Sequence, residues 1–265
     1  MKKIILITGG SSGIGKSTAQ FLTQKGHVVY GTSRNPKKTE NPPFALLGMD
    51  VTNEASIREA VETIIKKEGR IDVLVNNAGV GITGPVEEIP SEEIQKVFET
   101  NLYGPINVMK AVLPHMRNQG GGLIINITSI AGYMGLPYRA LYSATKGALN
   151  LVTEGMRMET KDFGVKITTL APGDFATNIA SGRYHAPVYD TSAYKIPYGN
   201  TLKLMNEHVS DGGDPLEVAK MVLKIMQTPN PKPHYKVGAF MQKFSVVLKK
   251  LLPGKVYEKL LVNHY

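Results

Sequence analysis

The sequence contains no cysteine among its 265 residues. This absence excludes disulfide bonds, a thiolate nucleophile and any metal site with cysteine ligands. Long apolar runs are also missing, since no stretch approaches the roughly 20 residues of a membrane-spanning helix. The first apolar run, residues 4–7, is too short for the core of a secretory signal. We therefore expect a soluble, cytoplasmic protein.

Acidic residues are scarce at one end of the chain. The formal net charge is +9, and residues 220–265 hold nine lysines but only one acid, Glu258. A basic balance favours nucleic acid, an anionic membrane or a phosphate-bearing cofactor as partner. The sequence contains no nucleic-acid reading module, so we expect no nucleic-acid partner. The basic character therefore belongs mainly to the C-terminal tail.

Short apolar segments alternate with longer segments of helical periodicity. Strands that are apolar throughout and separated by helices predict a parallel sheet covered on both faces, which is a doubly wound α/β (Rossmann) fold. The predicted strands are 4–7, 28–32, 45–47, 71–75, 123–127 and 165–170, with a candidate seventh at 234–237. The predicted helices are 16–25, 54–67, 94–116, 142–163 and 214–227, with an expected break near Gly104-Pro105.

One domain is expected to span residues 1–265. The helical pattern weakens over residues 174–213, which are rich in Tyr, Ser, Gly and Pro. A long irregular segment inside a compact domain is usually functional, so we interpret it as a substrate lid. Residues 239–265 are predicted to form a basic, helical C-terminal extension.

A glycine-rich loop joins the first predicted strand to the first helix. Glycines allow a close approach to a pyrophosphate, and a helix N-terminus offers free N–H groups. The spacing is Gly-x-x-x-Gly-x-Gly, which differs from the usual G-x-G-x-x-G fingerprint. The loop predicts a dinucleotide site formed by Gly9, Ser11, Ser12, Gly13, Ile14 and Gly15.

The end of the second strand indicates which dinucleotide is bound. An NAD-selective site usually has an acid there to bind the ribose 2′-hydroxyl, whereas this sequence has Ser33 and Arg34. A guanidinium and a hydroxyl suit a 2′-phosphate. NADP(H) is therefore the predicted cofactor, with NAD(H) as the alternative, and a merely solvated basic loop is left open.

Ser129, Tyr142 and Lys146 form a candidate acid–base group. Tyr142 and Lys146 are four residues apart and share one face of a predicted helix. A phenol has a pKa of about 10, and a nearby ammonium lowers it. Tyr142 could then exchange a proton with a carbonyl or alcohol oxygen, to which Ser129 could donate a hydrogen bond. The Tyr-x-x-x-Lys pattern alone is equally typical of a solvated helix face.

Together these motifs resemble the short-chain dehydrogenase/reductase family, in order along residues 3–240. Asp50-Val51 resembles its adenine contact, and Asn76–Gly79 resembles the signature that ends its fourth strand. By this resemblance Asn101, Ser129, Tyr142 and Lys146 are catalytic. The cofactor contacts it implies further along the chain are Asp50, Val51, Asn77, Ala78, Gly79, Tyr142, Lys146, Pro172, Gly173 and Thr177.

The resemblance implies hydride transfer between NADP(H) and a carbonyl or secondary alcohol, without a metal. Tyr142 would exchange the proton while Ser129 positions the oxygen. Lys146 would hold the nicotinamide ribose and lower the Tyr142 pKa. Asn101 would help to relay the proton to solvent.

The substrate is predicted to be a small, apolar carbonyl or alcohol. Residues 132–137 resemble the family branch that acts on steroids and retinoids. The lid is rich in tyrosines, which suit an apolar substrate but could simply pack the lid onto the domain. Asp174, directly after Pro172-Gly173, departs from the family pattern. A non-catalytic NADP(H) redox sensor and a membrane-associated binding protein are the alternatives.

Three interpretations of the basic tail remain open. It could cap the core beside the substrate mouth, lie on an anionic membrane, or mediate subunit contacts. Members of the resembled family commonly form dimers or tetramers, so a homodimer or homotetramer is expected.

Overall fold

A seven-stranded parallel sheet forms the centre of the protein, in the order β3-β2-β1-β4-β6-β7-β9. The computed structural model describes residues 1–36, 42–176, 182–210 and 212–262, without the side chains of 206–210. The short strands β5 and β8 pair as a separate parallel ribbon. The strands are β1 Ile4–Ile7, β2 Val28–Ser33, β3 Ala45–Gly48, β4 Val73–Asn76, β5 Ile82–Thr83, β6 Gly122–Ile127, β7 Val165–Pro172, β8 Tyr184–His185 and β9 His234–Val237.

Helices cover both faces of this sheet, which confirms the predicted doubly wound α/β fold. Helices α2, α4 and α5 pack on one face, and α1 and α7 pack on the other. The helices are α1 Gly13–Gln24, α2 Glu54–Glu68, α3 Ser91–Phe98, α4 Gly104–Asn118, α5 Ala140–Glu159, α6 Lys195–Ser210, α7 Leu216–Gln227, α8 Phe240–Leu251 and α9 Gly254–Val262. No helix in these described ranges is long and apolar enough to cross a membrane.

Alternation along β1 explains why the strands are apolar throughout. Ile4 and Leu6 face the cluster of α2 and α4, while Ile5 and Ile7 face the cluster of α1 and α7. Successive side chains of a strand point to opposite faces, so a strand buried on both sides needs an apolar residue at every position.

The predicted break near Gly104-Pro105 is a π-helical turn, Glu99–Tyr103, that joins α3 to α4 without interruption. Such turns insert an extra residue into a helix and are frequent at functional sites. This turn carries Asn101, whose side chain is completely buried.

The segment predicted to be a substrate lid is more regular than expected. Residues 174–213 contain strand β8 and the helix α6, so the prediction that this segment is irregular is wrong for these two elements. The weak periodicity has a physical origin, because α6 begins Lys-Ile-Pro-Tyr-Gly and lacks a continuous apolar stripe. The tail beyond residue 239 is helical, as predicted, and forms α8 and α9.

Candidate functional site

The predicted site residues collect at the carboxyl edge of the sheet. In a parallel sheet the loops that follow adjacent strands open on the same edge, where ligands of this fold bind. The loops after β1, β4, β6 and β7 therefore lie side by side, because these strands are neighbours. They carry the glycine loop, Asn77–Gly79, Ser129 and Gly173 respectively.

The glycine loop is fastened to the end of β4. The Thr8 hydroxyl accepts the N–H groups of Asn77 and Ala78, each at 2.9 Å. The Asn77 side chain donates to the carbonyl oxygens of Thr8 and Gly9. A side chain at Gly15 would collide with the Gly9 carbonyl oxygen. Residue 15 must therefore be glycine for the loop to fold this closely.

The N-terminus of α1 meets the requirements of a phosphate site. Ser12 precedes the helix in an extended conformation, and its side chain makes no capping bond within the described structure. The first N–H groups of the helix are thus left for another acceptor. Gly9 and Gly13 have positive φ angles of 66° and 51°. These features fit a bound phosphate and support the predicted dinucleotide loop. In this loop Ser11, Ser12, Gly13 and Ile14 surround the start of the helix.

Ser33 is the last residue of β2, and Arg34 follows it at the same edge. The Arg34 side chain is exposed, and the Ser33 hydroxyl accepts the Asn35 N–H at 3.2 Å. Asp50 begins the turn into α2, where its carboxylate accepts the N–H and hydroxyl of Thr52. Val51 is buried beside that turn. The cofactor roles of these residues stay predictions.

Lys146 is buried next to the end of β6. It is only 4% exposed, and its ammonium Nζ donates to the Ile127 carbonyl at 3.1 Å. Burial lowers the pKa of Lys146 to about 8. The ammonium lies 5.9 Å from the centre of the Tyr142 ring, so the expected pair forms on one face of α5.

The pKa of Tyr142 is raised, which corrects the expectation that Lys146 lowers it. Burial of the phenol is the largest effect, and the groups that oppose it are Arg139, a hydrogen bond with Ser129, and Arg183. The Ser129 oxygen already accepts the Ala131 N–H at 3.1 Å, which leaves its hydrogen to donate. The phenol is consequently protonated at neutral pH, as a proton donor must be.

Asn101 is held rigidly against the loop after β4. Its Oδ1 accepts the Val80 N–H and its Nδ2 donates to the Val80 carbonyl, both at 2.8 Å. The space beside the Cα of Gly79 is bordered by Asn101 Oδ1 and Lys146 Nζ. The predicted partners of a proton relay therefore meet at Gly79, although the relay itself stays a prediction.

The end of β7 explains Asp174, the residue that departs from the family pattern. The Asp174 carboxylate accepts a hydrogen bond from Gln242 Nε2 at 2.7 Å, so it anchors the start of α8. Gly173 donates its N–H to the Val237 carbonyl at 2.8 Å. Thr177, the predicted partner of Pro172-Gly173, lies outside the described residues.

Two arginines beside Tyr142 were missed by sequence reasoning. The Arg139 guanidinium lies 5.7 Å from the Tyr142 ring centre. Burial and Arg139 lower the pKa of Arg183, whose Nη1 is buried without a hydrogen-bond partner among the described residues. Arg139 lies three residues before Tyr142, on the same turn. That spacing was a usable signal for Arg139, whereas nothing local marked Arg183.

A buried polar chain behind the site was also missed. Asn76 donates to Asn126 at 2.9 Å, and Asn126 donates to Thr153 at 2.8 Å. These groups join β4, β6 and α5 beneath the catalytic edge. Among the described residues there is no group of three or more side chains suited to hold a metal ion.

Comparisons with known proteins place this geometry in a family. Residues 3–187 match the family model described as short chain dehydrogenase. A 3-ketodihydrosphingosine reductase of Bacteroides thetaiotaomicron is 41% identical over 257 residues, which cover 97% of this chain and 95% of the relative.

Solved structures agree with the match. A short-chain dehydrogenase from Streptomyces avermitilis superposes with a TM-score of 0.84 and 30% identity over 98% of both chains. ElxO, solved with NADP bound, has a TM-score of 0.73 and 31% identity, over 89% of this chain and 97% of its own. The chain therefore belongs to the short-chain dehydrogenase/reductase family and is an NAD(P)(H)-dependent oxidoreductase.

Proposed function

We propose that the protein is an NADP(H)-dependent reductase acting on the ketone of a long-chain, lipid-like substrate of the 3-ketodihydrosphingosine kind. The 41% identity to a 3-ketodihydrosphingosine reductase carries the proposal. That similarity covers 97% of the chain, so it includes the lid and the tail as well as the dinucleotide motifs. Substrate identity is decided in such variable regions, whereas the fold alone decides little.

NADP(H) is the proposed form of the cofactor. Arg34 and Ser33 end β2, with no acid there to favour an unphosphorylated ribose. The loop from Gly9 to Gly15 would hold the diphosphate, and Lys146 the nicotinamide ribose. When bound, NADPH supplies the hydride that reduces the carbonyl.

Tyr142 supplies the proton in this reaction. Its raised pKa keeps the phenol protonated, and its hydroxyl donates to the carbonyl oxygen of the substrate. Ser129 donates a second hydrogen bond to that oxygen. Its hydroxyl hydrogen is available for this, because in the contact with the Ala131 N–H the Ser129 oxygen is the acceptor. Once Tyr142 has donated its proton, Lys146, with a pKa of about 8, can pass a proton towards the Tyr142 phenolate at physiological pH.

Polar groups near Tyr142 suit the head of such a substrate. 3-Ketodihydrosphingosine has an amino and a hydroxyl group beside its ketone. The Asp174 carboxylate acts electrostatically on the phenol and would attract an ammonium. The unpartnered Nη1 of Arg183 would donate to an oxygen. Tyr142 also packs against an apolar cluster that contains Met134 and Leu136, which would suit the alkyl chain.

A steroid or retinoid substrate is the alternative, based on residues 132–137 and the tyrosine-rich lid. A location in the cytoplasm and assembly into a homodimer or homotetramer also stay predictions. The family consists of oxidoreductases, and this chain has a candidate proton donor in Tyr142. Both facts argue against the redox-sensor hypothesis, because a protein that only senses NADP(H) needs no proton donor.

Turnover of a substrate panel tests the proposal. Purified protein and NADPH would be mixed with 3-ketodihydrosphingosine, its analogue without the amino group, a steroid ketone and retinal. We expect the highest kcat/KM for the amino ketone. A preference for the steroid or retinal would contradict the proposed substrate class, and tight NADPH binding without any turnover would favour the sensor.

Asp174→Asn tests whether the Asp174 carboxylate attracts the ammonium of the substrate. The substituted side chain keeps an oxygen that can accept a hydrogen bond from Gln242 but loses the negative charge. We expect kcat/KM for the amino ketone to fall about tenfold or more, as for loss of a charge-assisted hydrogen bond, with little change for the analogue. An equal loss for both substrates would mean that Asp174 only supports the fold.

A further inference from the structure

The helices α8 and α9 carry an apolar surface that no other described part of the chain covers. Phe240, Phe244, Val247 and Leu251 are 72%, 38%, 42% and 73% exposed. They are spaced four, three and four residues apart, which places them on one side of α8. We call these four residues the outer stripe.

The outer stripe lies opposite the side that anchors α8. Val246 is 2% exposed and packs with Tyr257 and Met134 in one apolar cluster. Gln242 fixes the start of the helix to Asp174. The helix is therefore apolar on two sides, and docking to the domain uses only one of them. Exposed contiguous apolar patches of this kind mark interaction sites.

The second helix repeats the pattern on a smaller scale. Val256 and Leu260, one helical turn apart on α9, are 47% and 49% exposed, while Tyr257 between them is buried. Phe240 and Phe244 stack with ring centres 5.7 Å apart, so the two largest apolar groups of the outer stripe form one block.

Lysines surround these apolar residues. Lys249, Lys250, Lys255 and Lys259 are exposed, and Lys243 is partly so. None of the five forms a salt bridge with any described residue, and Glu258 is the only acid between residues 240 and 262. Lys249 lies over the ring of Tyr257, 5.9 Å from its centre, on the anchoring side of α8. The charges of the other four lysines are free to attract an anionic partner.

We propose that α8 and α9 dock on the surface of a membrane that contains anionic phospholipid. Apolar side chains enter the boundary between headgroups and acyl chains, and flanking lysines bind the phosphates. A second copy of the chain fits less well, because it would bring two sets of unpaired lysines together. The surface is also part of the catalytic unit, since the cluster behind Val246 includes Tyr142. Docking brings the catalytic tyrosine near the bilayer, independently of which substrate is used.

Co-sedimentation of the full-length protein with vesicles tests the docking. We expect binding to vesicles of phosphatidylcholine mixed with phosphatidylglycerol, and weak binding to phosphatidylcholine alone. The binding should fall between about 0.1 M and about 1 M salt, as the screening length shrinks from about 10 to about 3 Å. Failure to bind the anionic vesicles at low salt would overturn the proposal.

Two pairs of substitutions separate the apolar and the charged contributions. Phe240→Ser with Phe244→Ser should weaken vesicle binding by about tenfold or more, as loss of two buried aromatic contacts implies. Lys250→Glu with Lys255→Glu, two exposed lysines, should reduce vesicle binding even more at low salt but only slightly at high salt. Reduction of a water-soluble ketone should be unchanged in both variants, which shows that they fold.

Matched controls use exposed residues of the same kind elsewhere. Leu151→Ser with Met158→Ser removes two apolar residues that are 69% and 73% exposed on α5. Lys66→Glu with Lys67→Glu reverses charge on α2. Both controls should bind vesicles as the unaltered protein does, and an equal loss in them would overturn a specific docking surface. Gel filtration tests the other possible role of the surface. If Phe240→Ser with Phe244→Ser converts an oligomer into a smaller species while vesicle binding is unchanged, the surface is a subunit contact and the proposal is wrong.

Discussion

The carboxyl edge of the sheet and the C-terminal third of the chain are built on different principles. At the edge, backbone groups and short side chains lock one loop to another, as Thr8 does with Asn77 and Ala78. Beyond residue 173, helices attach through apolar packing, such as that of Val246 with Met134, and through long-range hydrogen bonds such as Asp174–Gln242. The first region carries the predicted dinucleotide site, and the phosphates of a dinucleotide require a fixed backbone. The second region is the one that we propose contacts the substrate and a membrane. Four changes test this comparison.

Tyr142→Phe should have the largest effect, because it removes the proton donor at the fixed edge. Loss of general acid catalysis costs about a hundredfold to ten-thousandfold in kcat. NADPH affinity, measured by fluorescence titration, should change little. Tyr138→Phe is the control, since that ring packs in the lid against Tyr198. Normal turnover by Tyr142→Phe would remove the proposed role.

Lys146→Met should change how stability depends on pH. The pKa of about 8 in the folded protein lies below the usual value of 10.5, so between these pH values the unfolded chain holds a proton that the folded one has released. Stability due to Lys146 therefore rises with pH across this window, by up to about 3 kcal/mol.

Urea unfolding at several pH values measures that difference. The unaltered protein should gain stability relative to Lys146→Met as pH rises from about 8. Lys66→Met, the same change at an exposed lysine of α2, is the control. A stability difference that is constant with pH would mean that Lys146 is not desolvated as the structure indicates.

Arg34→Ala should raise the KM for NADPH by about tenfold to a hundredfold, because one charge-assisted hydrogen bond to phosphate is lost. The KM for NADH should be almost unchanged, as should both values in Arg58→Ala, a matched change on α2. Equal effects on the two cofactors would contradict the 2′-phosphate prediction.

Gln242→Ala should have the smallest effect and should affect only the second region. It removes the hydrogen bonds to Asp174 at the start of α8, which should cost about 1 kcal/mol in the free energy of unfolding. NADPH binding should be largely retained. If hydrogen exchange shows equal protection of residues 240–251 in both proteins, the anchor is not what holds α8.

The sequence predicted that the site residues lie together at the carboxyl edge because the requirements of that edge are local. Gly15 follows the first strand at a fixed distance, and Tyr142 and Lys146 are one helical turn apart. The doubly wound fold and the family follow from the same patterns. The raised pKa of Tyr142 could not be predicted, because it depends on burial by residues from several distant segments.

The lid and tail were harder to predict for a related reason. Helix α6 has a poor apolar stripe, and its sequence is rich in helix-disfavouring residues at its start, such as Pro197 and Gly199. Arg183 approaches Tyr142 only after the chain has folded, and Asp174 acquires a role only through Gln242, 68 residues away. Sequence periodicity contains no information on such contacts.

The position of Gln242 has a thermodynamic consequence. Its side-chain oxygen contacts Gly173, at the expected nicotinamide end of the site, and the same residue lies in the first turn of the helix that carries the outer stripe on its other side. One amide thus connects the expected cofactor site to the helix that is proposed to dock on lipid. Any factor by which the dinucleotide strengthens attachment to a bilayer must equal the factor by which the bilayer strengthens retention of the dinucleotide. Measured as a ratio of dissociation constants, that number would state how strongly dinucleotide binding and membrane attachment are coupled.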